Sequence, residues 1–83
     1  MNSKQDEPME AVAAVIVDYL HAHPMAADSA DGVHRWWIGA HCGALGVAEV
    51  EAALDLLVLR AVLRRLRLTD GTVLYAQIMP TRQ

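Results

Sequence analysis

Phenylalanine is absent from this 83-residue chain, and two tryptophans and two tyrosines are its only aromatics. A core must therefore be filled mainly by Leu, Val and Ala, which are ample because apolar residues make up 54% of the sequence. There is one cysteine, Cys42, so no intramolecular disulfide can form, which suits a reducing compartment. No apolar run approaches the ~18 residues of a membrane span; AVAAVIV at 11–17 is interrupted by Asp18. The opening MNSKQDEPME is polar and acidic, unlike a secretory signal. Basic residues are outnumbered seven to ten by acidic ones, and the net charge of −3 argues against a protein built to grip phosphate backbones. These absences predict a small cytoplasmic protein with no membrane association, near the lower size limit for folding without staples.

What is present is organised around Leu45 to Ile78. Val47, Val50, Ala53, Leu54, Leu57 and Val58 recur at helical spacing. The pattern then changes to alternation, with Leu66 and Leu68 set among Arg65 and Arg67. Asp70-Gly71 signals a hairpin, and Val73-Leu74-Tyr75 resumes strand-type residues. Two registers compete. A two-residue turn pairs Leu68 with Val73, whereas a three-residue loop with Gly71 as a left-handed bulge pairs Leu66 with Leu74 and Arg65 with Tyr75. The second places Leu66, Leu74 and Ala76 on one face and Arg65, Arg67, Val73 and Tyr75 on the other. It separates apolar from mixed residues better, and is preferred because register follows the buried face.

Upstream, residues 1–6 are expected to fray, with Asp6 or Glu7 capping a first helix and Pro8 in its first turn. Val12, Val15, Ile16, Tyr19 and Leu20 form its apolar stripe, and Pro24 stops it near His23. Met25-Ala26-Ala27 reads as a connector with extended character. Asp28 or Ser29 caps a second helix on which Val33, Trp36, Trp37 and Ala40 share a face, placing both tryptophans at the centre of the core. Gly39, Gly43 and Gly46 mark a loop before the third helix.

A helix running directly into a two-stranded ribbon resembles the C-terminal half of a winged helix-turn-helix domain. The resemblance implies an α+β fold of three helices followed by a two-stranded β-hairpin wing, one domain over 7–79 with an 80–83 tail. Such third helices commonly end in glycine; Ala61 stands there, which implies an overrun by a turn. The resemblance leaves function open, because winged helices bind DNA, RNA and proteins.

On the third helix Ala48, Ala52, Asp55, Leu56 and Leu59 point away from the core stripe, with Glu49 and Glu51 flanking. A DNA reader needs cationic or amide side chains there. Carboxylates beside two wet leucines instead predict a protein contact through Ala52, Asp55, Leu56 and Leu59, forming a homodimer or binding a partner protein. The bland alternative is that the leucines are covered within the monomer. In a symmetric pairing, Asp55 of one copy would meet Arg60 of the other. Arg60, Arg64, Arg65 and Arg67 are the candidate nucleic-acid contacts of the competing reading, a small DNA-binding regulator. Helix-dipole compensation and edge protection account for them equally well.

His21, His23, His34, His41 and Cys42 lack the spacing of a metal site; His21 and His23 point roughly 200° apart on a helix. His41-Cys42 has no cleft or oxyanion donor to make it catalytic. No phosphate loop or dinucleotide fingerprint is present. The sequence thus points to no metal, no cofactor and no enzymatic activity.

Overall fold

The computed structural model describes residues 3–38 and 46–78. Three helices and a three-stranded antiparallel sheet make an α+β fold in the order α1 (Ser3–Ala22), β1 (Ala27–Asp28), α2, α3 (Val47–Leu59), β2 (Leu63–Arg67) and β3 (Val73–Gln77). Helix α2 is one α-helical turn, Ala30–Gly32, continued as a π-helix over Val33–Ile38.

Helix α1 starts at Ser3, ahead of the expected Asp6 or Glu7 cap. Its apolar stripe is as the spacing predicts: Val12, Ile16 and Leu20 are buried, and Val15 and Tyr19 pack half-buried beside them. After Pro24 the chain returns as β1, which pairs with β3 through Ala27–Ala76 and Asp28–Tyr75. The expected two-stranded ribbon is therefore a three-stranded sheet in the order β1-β3-β2. The pairing is only two residues long, and so short a strand has too little pattern to be read in sequence.

Ser29 caps α2, its Oγ accepting a hydrogen bond from the Gly32 N–H at 3.2 Å. The Ser29 N–H donates in turn to Asp28 Oδ1 at 2.9 Å. That carboxylate lies so close to Gly32 that a Cβ there would sit 1.9 Å from it, so a side chain at this position would displace it.

The π-helical winding corrects the expectation for the tryptophans. Each residue of an i→i+5 turn rotates by less than the ~100° of an α-helix. The buried face becomes Val33, Trp37 and Ile38, and Trp36 swings outward. Trp37 is 5% exposed and Trp36 is 71% exposed. Trp37 is a core residue stacked on Tyr19, with ring centroids 4.8 Å apart at 11°; Trp36 is not. Ala40, the fourth member of the expected face, lies outside the described residues, as do the Gly39–Gly43 part of the loop and the 80–83 tail.

Helix α3 buries Val50, Ala53, Leu54 and Leu57, with Val47 and Val58 half-buried at the margins. Its first turn is closed by Glu49, whose Oε1 accepts the Gly46 N–H at 3.0 Å. At its other end the expected overrun does not occur. The Ala61 N–H donates to the Val58 carbonyl at 3.0 Å and the Val62 N–H to the Leu57 carbonyl at 2.9 Å. These two bonds form a Schellman stop, with Ala61 at φ 62° in the left-handed position where glycine is usual. The helix ends at Leu59 because these bonds satisfy its last carbonyls, and alanine bears the strain.

The hairpin adopts the preferred register: Leu66 opposes Leu74, Arg65 opposes Tyr75, and Arg67 opposes Val73. Gly71 takes φ 91° as the bulge residue. The Leu68 N–H donates to the Thr72 carbonyl, and Asp70 Oδ1 accepts the Thr72 N–H. The face turned to the helices, however, is the one carrying Leu63 and Tyr75, both buried. Leu66, Leu74 and Ala76 lie on the opposite side and are half-buried. The register expectation was right and the buried side was the other one, because Leu63 continues from Val62 directly under α3.

Candidate interaction surface

The outer face of α3 carries the residues singled out for protein contact. Leu59 is 84% exposed, the largest exposure of any large apolar side chain among the described residues. Ala52 and Leu56 are half-buried, and Leu56 packs against the monomer's own core. Only one of the two expected wet leucines is therefore fully available.

Asp55 and Arg60 are both spoken for within the chain. Asp55 Oδ1 accepts a hydrogen bond from Arg65 Nη2 at 2.5 Å. Arg60 makes a two-pronged pair with Glu10 of α1, its Nη1 donating to Oε1 at 2.9 Å and its Nη2 to Oε2. The symmetric Asp55–Arg60 contact between copies would have to break both pairs. The Glu10 carboxyl is held below its ordinary range by the hydrogen bonds from Arg60 and, secondarily, by the guanidinium charge.

The four arginines separate into two kinds. Arg60 and Arg65 are clasped by carboxylates, and Arg65 also lies over the Tyr75 ring, 5.9 Å from its centroid. Arg64 and Arg67 are exposed, with no ion-pair partner among the described residues. They stand on opposite faces of β2, since odd and even positions of a strand point apart. No continuous basic strip forms, and Glu49 and Glu51 occupy the front of α3.

His21 and His23 are exposed at the end of α1, where the His23 ring lies 4.4 Å from that of Tyr19. Among the described residues no group of three or more His, Cys, Asp or Glu side chains could hold a metal ion. His41 and Cys42 lie outside the described residues. A hollow of ≈240 Å³ is lined by Val15, Asp18, Tyr19 and Trp37. No helix among the described residues is long and apolar enough to cross a membrane.

The sequence reading missed the outward side of the sheet. Leu66, Leu74 and Ala76 face away from the helices, and a groove of ≈190 Å³ lies over Leu66 and Ala76, walled by Pro24, Met25, Ala27 and Arg64. The signal that could have found it is Leu63: counting back by twos from Tyr75's partner Arg65 places that leucine, not Leu66, on the core side.

No family model matches the chain, and no curated protein or solved structure matches it.

Proposed function

We propose that this chain is a non-enzymatic interaction module of winged-helix type, cytoplasmic, that self-associates or binds a partner protein through the outer face of α3. The observation that carries the reading is the Leu59 side chain, 84% exposed at the end of a helix whose other face buries Val50, Ala53, Leu54 and Leu57. Ala52 and Leu56 extend it into one patch at helical spacing. Leaving such a leucine in water forgoes ~1.5–3 kcal/mol, a substantial driving force for a domain of this size. The three helices followed by a hairpin support the winged-helix resemblance, and the acidic composition supports a protein rather than a polyanion as partner.

Sedimentation velocity on the wild type, Leu59→Asp and the Leu56→Asp, Leu59→Asp double variant tests this reading. Concentration-dependent association, or retention of a partner, that is lost in Leu59→Asp while circular dichroism is unchanged supports it. A wild type that stays monomeric at high concentration, with variants that keep every partner, overturns it.

The competing reading, a small DNA-binding regulator, is favoured by the exposure of Arg64 and Arg67 without ion-pair partners among the described residues. Gel shifts against random duplex at two salt concentrations test it. Submicromolar binding at physiological salt, lost on Arg64→Glu with Arg67→Glu, would favour it.

A further inference from the structure

We propose that the outward face of the sheet is a second docking surface, whose occupant is a short amphipathic helix of a partner protein bearing a carboxylate on its flank. The inference shares with the preceding section only the premise that the chain is an interaction module; the surface is a different one.

The strand register assembles the face. Arg64, Leu66, Leu74 and Ala76 lie on one side of the sheet, and Ala27 joins them because it is opposite Ala76. The ladder continues past both strand ends: the Leu68 N–H donates to Thr72 O and the Ile78 N–H to Val62 O. Alternation therefore puts Leu68 and Ile78 on the same side. They are 44% and 41% exposed, and Met25, 83% exposed, overhangs the groove from the α1–β1 turn. Three of the five large exposed apolar side chains among the described residues thus belong to one face. The opposite face already packs Leu63 and Tyr75 into the core. An antiparallel sheet with one wet side is ordinarily polar there. Here the wet side carries Leu66, Leu74 and Ala76 instead.

Size and charge choose the occupant. Two five-residue strands at ~3.4 Å per residue, with the two-residue β1 alongside at ~4.8 Å spacing, give a patch of at most roughly 14 by 17 Å. A stable protein–protein contact takes about 800 Å² from each partner, several times that patch. A helix is about 10 Å across and covers ~17 Å in about three turns, which matches it. Arg64 is the only charged side chain on the face and has no ion-pair partner among the described residues. A second copy laid face to face would bring another Arg64 and no carboxylate. A helix with a leucine stripe flanked by glutamate satisfies both the apolar floor and the guanidinium.

The test uses the full chain and two synthetic probes: a helical peptide of about three turns with a leucine stripe flanked by glutamates, and the same peptide flanked by lysines. Binding is followed by amide chemical shifts. The expected result is perturbation centred on Leu66, Leu74, Ala76 and Ile78, with the glutamate probe bound about threefold or more tighter. In Arg64→Glu, an exposed change that leaves the core untouched, the preference should reverse. Failure of both probes to bind at millimolar concentration overturns the proposal, as does an unchanged preference in Arg64→Glu. Shifts confined to Ala52, Leu56 and Leu59 overturn it while upholding the α3 surface. Self-association abolished by Leu74→Gln, with the fold intact by circular dichroism, makes a second copy the occupant and overturns the helix assignment.

Discussion

Replacing Ala61 by glycine should make the protein more stable, although it removes a methyl group and adds a glycine next to a helix. Ala61 holds φ 62° to complete the stop of α3. The left-handed conformation costs an L-residue about 1–2 kcal/mol because Cβ crowds the following carbonyl. Glycine does not bear that cost but loses more freedom on folding, about 0.5–1 kcal/mol relative to alanine. Ala61 is exposed, so no packing is lost with its methyl. The balance favours Ala61→Gly by about 0.5–1 kcal/mol, or a rise in Tm of several degrees at ~4–8 °C per kcal/mol for a domain of this length. Urea denaturation should show a higher midpoint at unchanged slope, the sign of stability rather than of a changed denatured state. Ala61→Val should move the other way, because a β-branched residue fits the left-handed region worst. A midpoint that falls in Ala61→Gly, or that ignores Ala61→Val, would show that the helix does not end in this conformation.

Trp37→Ala should cost ~3–5 kcal/mol and unfold much of the population, whereas Trp36→Ala should stay within about 0.5 kcal/mol; equal effects by thermal melting would contradict the π-helical phase of α2. Stability should fall as acid is added. Glu10 and Asp70 are held below their ordinary ranges, Glu10 by Arg60 and Asp70 by the hydrogen bonds from Thr72. Their contribution is complete above the unfolded-state values and is lost as pH drops through the lower folded-state ones, so the urea midpoint should decline between about pH 5 and pH 3. Glu10→Gln should flatten part of that decline. Duplex DNA should bind weakly, and Glu10→Gln with Asp55→Asn, which frees Arg60 and Arg65, should tighten it and steepen its salt dependence by up to about two phosphate contacts; an unchanged salt slope would mean the pairs do not restrain these arginines.

The parts of the fold legible in sequence were those governed by local rules repeated over several residues. The stripes of α1 and α3 follow from 3.6-residue spacing, the Ser29 cap from its hydroxyl, and the hairpin register from the separation of apolar from mixed residues on its two faces. What escaped has non-local causes. The π-helical turn of α2 shifts phase by a fraction of a residue at each step, and a Trp-Trp pair reads as core in either winding, so only tertiary packing decides which ring goes in. The short β1 strand exists because β3 lies beside it. Ala61 was recognised as standing in a glycine position, yet the inference of an overrun assumed that strain outweighs two hydrogen bonds to otherwise orphaned carbonyls. It does not: both bonds form and Ala61 takes the left-handed conformation.

The sheet face was misjudged for a reason that bears on function. Sorting residues by polarity makes the side with Leu66, Leu74 and Ala76 look like the interior and the side with Arg65 and Arg67 look like the surface. The protein inverts this, with Arg65 neutralised in place. Asp55 accepts from Arg65, and the guanidinium lies over Tyr75, so the long aliphatic stem covers the sheet while the charge stays at the margin. Glu10 does the same for Arg60, tying the end of α3 to α1. Exposed pairs of this kind contribute little to stability. The Arg65 pair lets one of the two strand arginines lie on the helix-facing side with its charge at the margin, while Arg67, at the hairpin end of that side, stays exposed. The consequence is that the more uniformly apolar face is left outside, with Arg64 as its single charge. A chain that hides its mixed face and displays its apolar one has surface suited to another protein.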